Sequence, residues 1–105
     1  MQHETHARME TQIIQSLRLV LDPELGFNLV DLGMIYSIDI REGGNVDICM
    51  TTTTPGCPAA GYLTDAVRAS AESVEGVHAV NVELTYEPEW IPEMAMPEVQ
   101  ARFGD

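Results

Sequence analysis

Over residues 9–21 the apolar side chains fall at Met9, Ile13, Leu17, Val20 and Leu21, the spacing of one face of a helix. Pro23 is expected to stop that helix, because the residue before a proline is pushed out of the α region. The period then changes. In "MIYSIDI", Met34, Tyr36, Ile38 and Ile40 fall on one face and Ser37 and Asp39 on the other, the alternation of a half-buried strand. The glycines of "REGGNVD" predict a hairpin loop. A second strand follows, with Val46, Ile48 and Met50 on one face and Asp47, Cys49 and Thr51 on the other. The two strands should pair antiparallel.

The helical period returns over residues 58–74, with Ala60, Leu63, Val67, Ala71 and Val74 in a stripe and Gly76 as the stop. "HAVNVELTYE" reads as a third strand with Val80, Val82, Leu84 and Tyr86 inward, and in the tail over residues 87–105 Pro97 opens a short helix. The order α-β-β-α-β plus a tail predicts an α+β fold, a two-layer sandwich with helices on one face of a small sheet. A chain of 105 residues suits one domain, with residues 1–8 as a flexible lead-in.

Charge narrows the partners. The formal net charge is −12, every fixed positive side chain is an arginine, and there is no lysine. Such a surface repels phosphate backbones and anionic lipid, so neither a nucleic acid nor a membrane is an expected partner. No apolar run is long enough to span a bilayer, and the polar "MQHETHARME" lacks the order of a signal peptide, so a cytoplasmic location is expected.

Two cysteines do not make a disulfide scaffold, and neither C-x-x-C nor H-x-x-x-H occurs. Cys57 lies in "MTTTTPGCPAAGYL", where a strand gives way to a helix. Pro58 suits the first helical position, which makes Cys57 the N-cap. A thiol caps poorly, but free N–H groups and the positive helix end stabilise a thiolate there, and Gly56 leaves the sulfur uncovered. Cys57 is therefore the candidate for a metal or cluster contact, whereas mid-strand Cys49 is read as a packing residue. His3, His6 and His78 have no spacing that points at Cys57, which disfavours a thiol enzyme. One thiolate cannot complete a cluster's shell, so two chains, or a chain and a partner protein, would share it.

"LDPELG" places Asp22 and Glu24 directly after the first helix. The local account is that Asp22 caps a turn opened by Pro23 while Glu24 is solvated. If the segment folds back toward residues 51–57, these carboxylates become metal ligands or proton acceptors beside the thiol. Thr51 to Thr54 extend the strand, or surround the sulfur with hydroxyl donors.

Taken together, "DPELGFNLVDLGMIYSIDI", "MTTTTPGCP" and "YEPEWIPEMAMPEVQARFG" resemble the metal–sulfur cluster assembly factor family, which includes SufT and the N-terminal domain of PaaD. The resemblance implies a small mixed sheet in a fold similar to the C-terminal domain of NifU, and a role in iron–sulfur protein maturation. The family's recurring polar residues fall on Asp22, Glu24, Thr51, Thr52 and Cys57, and its tail tryptophan on Trp90, as a packing anchor. The implied cargo is iron or an iron–sulfur cluster, held transiently. The implied partners are scaffold or carrier proteins and recipient apoproteins, and an open sheet edge would suit a homodimer. The cysteine-rich extension of PaaD and a P-loop are both absent from this sequence, which leaves a SufT-like layout. The expected function is a non-enzymatic carrier acting through Cys57. The alternative is an adaptor that recruits apoproteins without touching the cluster.

Overall fold

The computed structural model describes residues 2–103, with side chains from His6 onward. Met1 and residues 104–105, the outer ends of the lead-in and tail, lie outside the described residues, as does the side chain of His3. Three helices, α1 (Gln2–Leu17), α2 (Ala60–Glu72) and α3 (Pro97–Phe103), accompany three strands, β1 (Ile35–Ile40), β2 (Asn45–Met50) and β3 (Ala79–Leu84). Short 3₁₀ turns occupy Glu42–Gly44 and Pro92–Met94.

The first helix differs from its sequence pattern at both ends. It begins at Gln2 and stops at Leu17, well before Pro23. The N–H groups of Leu19 and Val20 turn to the carbonyls of Ser16 and Leu17, and Leu21 then bridges to Asn28 in extended conformation. Of the predicted stripe, Met9, Ile13, Leu17 and Val20 are buried, but Leu21 is 52% exposed. A pattern of apolar residues registers burial, and Val20 is buried from outside the helix.

The sheet order is β1-β2-β3, with β1 and β2 antiparallel and β2 and β3 parallel. The parallel pair requires a crossover, and α2 supplies it. Opposite Val46, Ile48 and Met50, the side chains of Ile13 and Leu17 from α1 and Leu63, Val67 and Ala71 from α2 complete the core. Each of these removed from water contributes roughly 1.5–3 kcal/mol before ordering costs, Ala71 less. Ser16 Oγ donates to the Ser70 carbonyl at 2.8 Å and fixes the two helices side by side. On β3, Val80 is buried, Val82 half-buried and Leu84 36% exposed, so the inward alternation fades along this edge strand.

β1 carries a bulge. Ile35 opposes Met50 and Ser37 opposes Cys49, so Tyr36 is the extra residue. The predicted face of Met34, Tyr36, Ile38 and Ile40 is broken there. Ile35 packs against the core, while the Tyr36 hydroxyl donates to the Pro88 carbonyl at 2.8 Å and lies 3.7 Å from Met94 Sδ.

The tail folds back along residues 27–34. Trp90 is buried, donates from Nε1 to the Leu32 carbonyl at 2.7 Å, and meets Phe103 edge-on at 6.4 Å. The Met96 N–H reaches the Asp31 carbonyl at 2.9 Å. Gly33, at φ +77°, lies so close to the Met94 carbonyl that a β-carbon there would collide with it.

Candidate functional site

β2 ends at Met50, and the chain crosses the end of the sheet in a loop over residues 51–59 before entering α2. Thr51 and Thr52 are fully buried at its root, with the Thr51 N–H donating to the Met34 carbonyl at 2.9 Å. The crest at Thr54, Pro55 and Gly56 is exposed. Gly56 sits at φ +80°, a left-handed turn that favours glycine. The chain then doubles under itself: the Cys57 N–H donates to the Thr54 carbonyl at 3.2 Å, and the Cys57 carbonyl accepts from Ala60 at 3.0 Å.

Two expectations for Cys57 are corrected by this loop. The helix opens at Ala60 with Ala59 as its cap, so Pro58 is not its first residue and Cys57 is not the N-cap. The physical reason is the Cys57–Ala60 turn, which uses the backbone of Pro58 before helical bonding starts. Nor is the thiol uncovered, since Cys57 is only 8% exposed.

The Asp22–Glu24 segment does fold back to the loop. Asp22 is 1% exposed, and its Oδ1 accepts from the N–H groups of Glu24 at 2.8 Å and Leu25 at 2.9 Å. The turn is closed further by the Gly26 N–H on the Asp22 carbonyl at 2.8 Å. This geometry sends Glu24, an exposed residue, toward Cys57, where the thiol Sγ lies 3.9 Å from Oε1 and donates to it. A carboxylate and a soft sulfur thus share one corner of the molecule, at the end of the sheet opposite His78, whose N–H bonds Gly44 beside the hairpin.

The Thr51 and Thr52 hydroxyls bond to the loop's own backbone. Thr51 Oγ1 donates to the Thr52 carbonyl at 3.3 Å, and Thr52 Oγ1 donates to the Thr54 carbonyl at 3.1 Å. Thr52 Oγ1 also lies 2.7 Å from the hydroxyl of Tyr86, a residue that sequence reasoning passed over as an inward strand position. Among the described residues, no three His, Cys, Asp or Glu side chains come together as a ready metal site.

Cys49 stands apart from this corner. It lines a shallow depression of about 220 Å³ on the sheet's polar face with Ser37, Asp39, Asp47, Asn81 and Glu83, so it is a half-buried surface thiol and not a core packing residue. Burial pushes this thiol up from its ordinary value, and the Glu83 carboxylate adds to the effect.

The architecture is a three-stranded mixed sheet with a cysteine-bearing loop leading into its crossover helix. The chain belongs to the iron–sulfur cluster assembly protein family, whose profile matches residues 10–84. It is 44% identical over 95 residues to an Fe-S protein maturation auxiliary factor of Porphyromonas gingivalis, covering 90% of each chain. The Fe-S protein maturation auxiliary factor YitW of Bacillus subtilis is 35% identical over 82 residues, 78% of this chain and 80% of that one. The crystal structure of a domain of unknown function from Bacillus anthracis superposes with a TM-score of 0.87 at 31% identity, covering 93% of both chains. The small mixed α+β fold read from the sequence is thereby established.

Proposed function

We propose that this protein is a non-enzymatic maturation factor for iron–sulfur proteins, holding or relaying iron or an iron–sulfur cluster through Cys57. The observation that carries this reading is the pairing of the Cys57 thiol with the Glu24 carboxylate at 3.9 Å, in the loop between β2 and α2. A thiol must lose its proton to bind metal. Glu24 is positioned to accept that proton or to add an oxygen ligand, and Asp22 holds the turn that carries it. Thr51 and Thr52 shape the loop, and Trp90 anchors the tail to the Leu32 carbonyl. The shell is completed by a second copy or by a scaffold, carrier or recipient apoprotein, in keeping with transient possession of the cargo in the cytoplasm.

The adaptor reading draws support from a different observation, the burial of Cys57 to 8%. A thiol so covered suits a protein that recruits apoproteins and leaves the cluster to others. Anaerobic reconstitution with iron and sulfide separates the two. The carrier reading expects visible absorbance and bound iron in the wild type and their loss in Cys57→Ala. Uptake by neither protein makes the adaptor the correct description, and equal uptake by both removes Cys57 from the cargo site.

A further inference from the structure

We propose that Tyr86 is a positioning residue for Cys57, latching the cysteine loop from just beyond the end of β3; the inference rests on the reading of Cys57 as the working thiol. The Thr52 hydroxyl has one proton and gives it to the Thr54 carbonyl at 3.1 Å. The 2.7 Å bond between Thr52 Oγ1 and the Tyr86 hydroxyl is therefore donated by Tyr86. The Thr54 carbonyl accepts a second bond, from the Cys57 N–H at 3.2 Å. One continuous relay thus runs from Tyr86 through Thr52 and Thr54 to the backbone of Cys57.

The relay matters because little else holds the crest. Thr54, Pro55 and Gly56 are exposed and nothing would lie within 4 Å of a β-carbon at Gly56, so polar ties shape this part of the loop. Tyr86 is a firm post for them. The Thr85 N–H before it bonds the Met50 carbonyl at 2.8 Å, and the Pro88 carbonyl after it accepts from Tyr36 at 2.8 Å. Cys57 as a residue is 8% exposed, so metal or a partner's ligand reaches its thiol when the loop opens, and Tyr86 sets the population of that open state.

Alkylation by iodoacetamide reads this directly, followed by mass in a Cys49→Ser background so that Cys57 alone reacts. Tyr86→Phe is expected to raise the rate about fivefold, the factor that corresponds to one hydrogen bond of roughly 1 kcal/mol. Thr52→Val, which also cuts the relay, should do the same, and combining the two should add little. Thr52→Ser keeps the hydroxyl and should alkylate at the background rate. Val99→Ala, a cavity in α3 away from the relay, should leave the rate unchanged although it destabilises the fold. Rates for Tyr86→Phe and Thr52→Val equal to the background, in protein shown to be folded by circular dichroism, would overturn the proposal. So would acceleration by Thr52→Ser or Val99→Ala to the same extent. Alkylation needs no iron, so these rates judge Tyr86 even where reconstitution removes the cargo role of Cys57.

Discussion

Asp22 illustrates how one side chain converts a sequence motif into a site. With its Oδ1 taking two backbone N–H bonds while 1% exposed, its removal leaves two donors in the turn without a partner. Asp22→Ala is expected to cost about 1–3 kcal/mol in urea denaturation, and Asp22→Asn, which keeps an acceptor oxygen, distinctly less. Cys49 offers a second prediction at this scale. Its folded-state value is raised by burial first and by Glu83 second, on a face that also carries Asp39, Asp47 and Arg41. The stability it contributes is fully present below the ordinary thiol value and is lost as pH rises through the folded value. Melting temperature measured across that alkaline range should fall less steeply in Cys49→Ser than in the wild type, and parallel curves would show that Cys49 is not responsible.

At the scale of elements, Pro97 marked α3, and the hydrophobic periods identified α1, α2 and the three strands, because burial of one face leaves a period of 3.6 or 2 in the sequence. They failed where burial and local geometry part company. Val20 is buried without being helical, Tyr36 is displaced by a bulge, and Leu84 lies on an edge strand. Pro58 carries a helix-start signal, yet the turn through Cys57 delays α2 to Ala60. At the site, the Asp22 turn was legible from "LDPELG", since its bonds are local. The approach of Glu24 to Cys57 and the tie from Tyr86 to Thr52 join residues far apart in the chain, and no single-sequence period encodes them. The tail bears a prediction of its own at Gly33. A left-handed alanine there costs roughly 1–2 kcal/mol before any collision, and the Met94 carbonyl occupies the space its β-carbon needs. Gly33→Ala should therefore loosen the tail, and the chain's one tryptophan, Trp90, reports it. Its emission is expected to shift toward that of solvent-exposed indole well below the melting temperature. An unshifted spectrum would mean that the tail accommodates the methyl group.

Across the whole molecule the governing quantity is charge. Seventeen carboxylates face five arginines for a formal net of −12, and the ion pairs among the described residues, Arg18 with Asp31, Arg41 with Asp47 and Arg68 with Asp65, lie at the surface. Such pairs are worth about 0–1 kcal/mol each, too little to offset the mutual repulsion of the remaining carboxylates in the compact state. Salt screens that repulsion, with a Debye length near 10 Å at 0.1 M, so adding sodium chloride should raise the melting temperature. The same screening weakens attraction to a basic partner. The two effects of salt therefore have opposite signs, and a carrier or recipient that docks by charge should dissociate under conditions that stabilise this protein. Glu10, Glu72 and Glu75 are exposed. Replacing all three by glutamine takes the formal charge from −12 to −9 and should raise the melting temperature at low salt while flattening its dependence on sodium chloride. An equal slope in the triple variant and the wild type would assign the salt effect to ion-specific hydration, and self-repulsion would then not limit the stability of this fold.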